Sequence, residues 1–357
     1  MANILYGVNG EGSGHSTRAK DVIAHLQKQG HTLHVVSFDR GMRNLRESVP
    51  VTEIFGFRLT YINNRVRYKR TLASNLIKAP QAARSLKKLS RLVEENNIDL
   101  VITDFEPMSC HVGHHKDLPI IAIDNQHAIT NTTVSMPSGY KRDVAAVKMV
   151  TRMMTPHADA YLVLSFFPAP SRRRNTFVFP PQLRQEILSA KASSESKTGE
   201  HVLVYVTSPS KELAALLKQV RCKFIAYGFG IEGQQDNVLF KKPSMDGFLH
   251  DLVNAKAVVA NAGFSLVSEA LYLGKPYLAV PVQNQFEQTF NAYHIDKLGY
   301  GAWWEELSKE KIESFLFNLS QYAENLRAYP RAGNDALLAK LDELIRTLPK
   351  HGAETNA

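Results

Sequence analysis

Acidic side chains are missing altogether between Ile54 and Val93, while Arg58, Arg65, Arg67, Lys69, Arg70, Lys78, Arg84, Lys87, Lys88 and Arg91 all fall inside that span. Such a run excludes a self-neutralised surface. Phe55, Phe57, Tyr61 and Tyr68 interleave with its first part. Two readings remain: a solvated cationic face over ordinary core residues, or a surface that sits on anionic lipid. In the second, each basic residue contributes about 1 kcal/mol, and Arg65, Arg67, Lys69 and Arg70 are the residues expected to carry it. Cysteine is nearly absent. Cys110 and Cys222 are the only two and lie far apart, which argues against a disulfide framework and for a reducing cytoplasm. No apolar run approaches the roughly eighteen residues of a membrane span, and MANILYGVNG enters strand-like sequence at once instead of a leader.

What is present is an ordinary globular composition, 44% hydrophobic over 357 residues, long enough for two domains. The net charge of +9 favours an acidic partner: phosphate groups, an anionic membrane surface or nucleic acid. No recognisable nucleic-acid module accompanies it, so no nucleic acid is expected.

Short β-branched runs alternate with amphipathic helical stretches, the grammar of parallel sheets with crossover helices. NILYGV, TLHVVSF, VTEIFGF, DLVITDF, PIIAID, AYLVLSF and TFVFP are candidate strands of a first unit. After Arg184 the apolar signal fades into SAKASSESKTGE, which reads as a linker. HVLVYVT, KFIAYGF, NVLFKK, AVVANA and PYLAVPV then restart the pattern. The expectation is an α/β chain of two doubly wound units: residues 1–185, a linker at 186–200, residues 201–345, and a frayed tail at 346–357. Ligands of open α/β sheets bind beyond the carboxyl ends of the strands, so two facing sheets share one cleft.

Glycines at 7, 10, 12 and 14 stand between the first strand and the first helix, where they permit a sharp turn and close approach of a ligand. The spacing does not match a dinucleotide fingerprint. His15 follows directly, and since Ser16 or Thr17 would serve as a cap, the histidine is spare. It suits a general base or a phosphate ligand, the alternative being a passive loop residue. ITDFEP places Asp104 and Glu106 after one strand, and AIDNQHAIT places Asn125, Gln126 and His127 after another. Polar clusters at strand ends mark sites, or simply cap helices. CHVGHH offers His111 and His115 at helical spacing, but no fourth ligand is evident, so no metal is expected.

ANAGFSLVSEALYLGKPYLAVPVQNQFEQTFNA, from Ala260 to Ala292, is the most informative stretch. It resembles the donor-binding signature of GT-B glycosyltransferases of the MurG and UDP-glycosyltransferase kind, a family 28-like group. The resemblance places Gly263 and Phe264 on a small-residue turn and Ser265 on the helix start. It places Glu269 on the ribose glutamate, and Glu287 and Gln288 on the acidic-Gln pair that meets the sugar. GEGSGH is similar to the Gly-Gly-x-Gly-Gly-His loop of the MurG group, with Glu11 and Ser13 in place of small residues, and makes Gly14 a donor contact. PPQLRQEI is similar to that group's Asn-Pro-x-Arg segment and places Arg184 near the donor phosphates. DNQH sits where the group has His-Glu-Gln-Asn, on the acceptor side. VTSPS occupies the first loop of the second domain without its usual glycines, with Ser208 as the phosphate contact.

The resemblance implies an inverting transfer from a nucleotide diphosphate-sugar, a UDP-sugar above all, to an acceptor hydroxyl, with a lipid-linked or glycolipid acceptor among the candidates. His15, Asp104 or Glu106 would be the base, with no cofactor beyond the nucleotide-sugar co-substrate. No Asp-x-Asp metal motif is present. Work on the inner face of the membrane fits the charge. Three other readings stay open: a nucleotide-sugar 2-epimerase, a non-catalytic sugar-nucleotide sensor, and a nucleic-acid binding protein.

Overall fold

A computed structural model describes residues 1–57, 61–62, 65–66, 78–193, 199–207, 211–242 and 244–348, with the backbone alone at 61–62, 65–66, 191–193 and 245. Arg67, Lys69, Arg70 and Ser208 lie outside the described residues, as does the side chain of Arg65.

The first sheet has seven strands: β1 (Asn3–Val8), β2 (Thr32–Ser37), β3 (Val51–Glu53), β6 (Leu100–Asp104), β7 (Ile120–Asp124), β8 (Ala160–Leu164) and β9 (Thr176–Phe179). Their order is β3-β2-β1-β6-β7-β8-β9 and every pairing is parallel. A small antiparallel hairpin, β4 (Tyr61–Ile62) and β5 (Arg65–Val66), stands apart. Parallel strands are covered by helices on both faces, which is why these segments read as unbroken apolar runs. Ile4, Leu5, Tyr6 and Val8 are all fully buried.

The second sheet contains β10 (His201–Tyr205), β11 (Lys223–Tyr227), β12 (Gly233–Gln235), β13 (Val238–Lys241), β14 (Ala257–Ala260), β15 (Tyr277–Ala279) and β16 (Gly301–Trp303). Its order is β12-β13-β11-β10-β14-β15-β16, parallel except where β12 meets β13. Edge strands β12 and β16 escape a sequence reading because three residues, each run containing a glycine, carry no periodicity. The chain is thus α/β with two doubly wound, Rossmann-like domains, as expected from the sequence.

One correction concerns the expected linker at 186–200. Its first half is a helix, Gln185–Ser193, with Ile187 fully buried in the apolar core that both domains share. Alanine and leucine favour the helix, and the burial of Ile187 anchors it.

Each sheet reverses its strand order once, β1/β6 in the first and β10/β14 in the second, and loops diverge there to leave a crevice. The two domains meet near these ends, where Asn125 and Gln126 after β7 bond Glu287 of the second domain. Phe166 and Phe167, just after β8, meet Phe264, Phe290 and His294 of the second domain, with Phe167 stacked on His294 at 3.8 Å. A single apolar core therefore runs from the first sheet into the inner face of the second. The closing helix, Asp335–Thr347, packs on the first domain through a His25–Asp342 contact of 2.9 Å. Asn334 prepares that return by bonding both the N–H and the C=O of Leu183, at 3.0 and 2.7 Å.

Candidate active site

On the first domain's side, β1 runs into a loop that opens the helix Gly14–Lys28. Glycine is obligatory at 10, because a Cβ there would stand 1.9 Å from the Phe38 carbonyl oxygen. Gly12 has φ +80, a conformation that side chains disfavour. The helix start has no acidic residue and no side-chain cap; Ser16 and Thr17 both donate to the Ser13 carbonyl instead.

One turn in, His15 and Arg18 converge on Asp104 at the end of β6. His15 Nδ1 lies 2.7 Å from Asp104 Oδ1. Arg18 Nε donates to Asp104 Oδ2 at 2.7 Å, and its Nη2 reaches Oδ1. Arg18 Nη1 also donates to Asn125 Oδ1 at 3.2 Å. Burial alone would raise the Asp104 pKa, but the charges of Arg18 and His15 outweigh it and hold the carboxyl below its ordinary value. Asp104 is therefore an ionised partner for the His15 ring, completely buried itself.

Two residues singled out from the sequence are engaged within the first domain. Glu106, a candidate base, is completely buried and caps the helix Pro107–His115, accepting from the N–H groups of Met108 at 2.9 Å and Ser109 at 2.7 Å. Burial pushes its pKa up to about 7, but both oxygens are engaged away from any acceptor. His127, expected on the acceptor side, is buried too, with Nδ1 on Asp124 at 2.7 Å and its ring against Tyr161 at 4.6 Å. Both hold strand ends in place. Near them, His114 Nε2 donates to the Pro156 carbonyl, and among the described residues no group of three potential ligands could hold a metal.

The opposite wall is the second domain's turn after β14. Gly263 precedes the helix Phe264–Tyr272 with extended backbone, no side-chain cap and no acidic residue in the first turn. A Cβ on Gly263 would meet nothing within 4 Å, and no side chain caps the amides of the first turn behind it. The walls touch at Gly14, where an added Cβ would stand 2.6 Å from Ser265 Oγ. Below the turn, Arg184 forks onto Glu269 with bonds of 2.8 and 2.9 Å. The residues expected to hold donor phosphate and ribose separately thus hold each other, because either charge buried alone costs several kcal/mol. Burial raises the Glu269 pKa and Arg184 opposes the shift.

Glu287 and Gln288 open the helix Phe286–Lys297. Gln288 Oε1 accepts from the Val282 N–H at 2.9 Å, which fixes the preceding loop. Glu287 reaches across the seam, accepting from Asn125 Nδ2 at 3.0 Å and Gln126 Nε2 at 3.3 Å. Residues assigned to opposite sides of the reaction are bonded to one another. A sequence reading misses three members of the site. Arg18 was legible as the i+3 neighbour of His15 on one helix face. Asn9, which holds the Phe105 carbonyl at 2.9 Å, and Asn261, which accepts from the Thr207 N–H at 2.7 Å, had no local signal.

A profile of glycosyl transferase family 1 matches residues 2–320. The chain belongs to glycosyl transferase family 1. Among relatives of this family 1 chain is UDP-N-acetylglucosamine--N-acetylmuramyl-(pentapeptide) pyrophosphoryl-undecaprenol N-acetylglucosamine transferase 3 of Bacillus cereus, 27% identical over 117 residues. That stretch is 29% of this chain and 32% of the relative, so the match spans about a third of the relative's length. In fold, the family 1 chain resembles the glycotransferase of kitacinnamycin, with a TM-score of 0.70 at 15% identity over 98% of this chain and 99% of that one. Phytolacca americana UGT2, solved with UDP-2fluoro-glucose and pterostilbene, gives a TM-score of 0.67 at 13% identity over 96% and 98% of the two chains.

Proposed function

We propose that this protein is an inverting glycosyltransferase that moves a sugar from a nucleotide diphosphate-sugar, a UDP-sugar, to an acceptor hydroxyl. The observation that carries this reading is the hydrogen-bonded His15–Asp104 couple, placed near the uncapped helix start at Gly263 and the buried Glu269. His15 takes the acceptor proton through Nε2 while Asp104 holds the ring and stabilises the imidazolium, a role worth about a hundredfold or more in rate. The acceptor oxygen attacks the anomeric carbon from the face opposite the leaving diphosphate, through an oxocarbenium-like state. Charge growing on the departing nucleotide is met by the amides at Gly263–Ser265 and by Arg184, with no metal required for that role. Glu269 takes the ribose hydroxyls with the acceptor capacity that its fork with Arg184 leaves, and Glu287 with Gln288 meets the sugar.

A lipid-linked acceptor at an anionic membrane is the second half of the proposal. The Bacillus cereus relative carries pyrophosphoryl-undecaprenol in its name. In this chain the helix Ala79–Glu95 exposes Arg84, Lys87, Lys88 and Arg91. No helix among the described residues is long and apolar enough to cross a membrane, so contact would be peripheral.

Incubating the protein with a lipid extract and a panel of nucleotide sugars, followed by mass spectrometry, tests the reading. Products heavier than an extract lipid by one sugar residue are expected. Turnover of the nucleotide sugar without any acceptor would replace transfer by epimerisation.

A further inference from the structure

Three atoms crowd together beside Asp104. His15 Nδ1 lies 2.7 Å from Asp104 Oδ1 and 2.8 Å from Arg18 Nη2, while Nη2 itself donates to Oδ1. A guanidinium only donates, so the two contacts of Nδ1 demand opposite things of the ring. Facing Arg18, Nδ1 must present a lone pair; facing Asp104, it must present a proton. A neutral imidazole does one or the other, and the bond made by one nitrogen decides the state of the other.

We propose that Arg18 sets the tautomer of His15, and that the contact of Asn125 with Glu287 ties this choice to the sugar side of the cleft. With Arg18 donating to Nδ1, the proton sits on Nε2. That atom has no hydrogen-bond partner among the described residues, and in this state it donates to whatever enters the cleft. With Arg18 drawn away, Nδ1–H donates to Asp104 and Nε2 presents the lone pair of a general base. The change relocates one proton from Nε2 to Nδ1 through cleft water, with no net uptake or release.

Arg18 has one lever that reaches the second domain. Its Nη1 donates to Asn125 Oδ1 at 3.2 Å, and Asn125 Nδ2 donates to Glu287 Oε1 at 3.0 Å. A sugar hydroxyl arriving on Glu287 competes for the oxygen that anchors Asn125, and a released Asn125 loosens the hold on Arg18. The other charged or titratable groups that act on this cluster are Asp124 at the end of β7 and Tyr6 on β1, both buried and both belonging to the first domain. Neither bonds a second-domain residue, which leaves Asn125 as the connection. The enzyme would arm its base only once the donor sugar is seated. This inference rests on His15 being the base.

The test reads the ring directly and needs no turnover, so its failure is separable from failure of the transferase reading. Full-length protein labelled with ¹⁵N-histidine gives long-range ¹H–¹⁵N spectra at a pH where imidazoles are neutral. The His15 signals are identified by their loss in His15→Gln. Wild type is expected to show mainly the Nε2–H tautomer. Arg18→Gln, and Asn125→Ala as the milder change should the first fail to fold, are expected to shift the ring to mainly Nδ1–H. Circular dichroism of each variant establishes that it is folded. A wild-type ring already in the Nδ1–H form, or one tautomer shared by wild type and every folded variant, overturns the proposal. A switch in Arg18→Gln with none in Asn125→Ala overturns the link to Glu287.

Discussion

The two walls of the crevice both use glycine before a helix, yet for different physical reasons. In the first wall Gly7 and Gly10 are crowded: an added Cβ would lie 1.9 Å from Ser109 Oγ or from the Phe38 carbonyl oxygen. Those glycines let strand, loop and neighbouring helix approach each other. In the second wall Gly263 borders open space and its helix start is uncapped, so no packing neighbour requires the glycine. Charge follows the same division. The first wall packs Arg18, Asp104 and His15 into a locally paired cluster, the one proposed to move a proton. The second pairs one carboxylate, Glu269, with one guanidinium, Arg184, beside the uncapped helix start proposed to receive the diphosphate. A glycine-rich loop is thus weak evidence for a ligand until its neighbours are known.

If that division is right, variants in the two walls should separate chemistry from donor binding. The largest effect belongs to His15→Ala, expected to lower kcat about a hundredfold or more, at least about 2.7 kcal/mol on the barrier. Its UDP affinity by calorimetry should be unchanged, and a mild kcat effect would return His15 to the loop. Glu269→Ala should do the converse, weakening UDP by about 1.5–3 kcal/mol, the scale of a charged hydrogen-bonding group. Equal UDP binding in that variant would remove Glu269 from the ribose.

The glycines themselves give the next contrast. Gly10→Ala forces backbone to move and should cost about 1–3 kcal/mol in urea unfolding, whereas Gly263→Ala should stay within about 0.5 kcal/mol. Comparable losses at both positions would erase the distinction between packing glycine and ligand glycine.

The smallest expected effect lies at the seam joining the walls. Burial pushes the His294 pKa down to about 4, and its Nε2 has no partner. The unfolded chain therefore binds a proton there before the folded one does. The contribution of the neutral ring is fully present above about 6.5 and is lost as pH falls through about 4. At about pH 5.5 the loss amounts to roughly 1 kcal/mol. His294→Phe should flatten this part of the pH–stability curve; an unchanged slope would show that the ring is not what acid attacks.

Most of the sheet architecture was legible because buried parallel strands announce themselves as apolar runs between helical periods. The Glu269 and Glu287 positions were legible too, as members of a contiguous motif. Other parts were not. Nothing local distinguishes Glu106 as a cap from Asp104 as an ion-paired partner, since both follow the same strand within three residues. The pairing of Arg184 with Glu269 was not legible because it joins residues 85 positions apart. The expected linker is helical in its first half because Ile187 enters a core that only the folded domains together provide.

Sequence by itself determined most of the central strands, the helices between them and the two-unit plan, for these depend on local periodicity and contiguous spacing. Tertiary structure alone decided which polar groups are engaged. Desolvation makes an unpaired buried charge cost several kcal/mol, so His15, Arg18, Asp104, Asn125 and Glu287 find their partners wherever folding brings them, across separations no local pattern encodes.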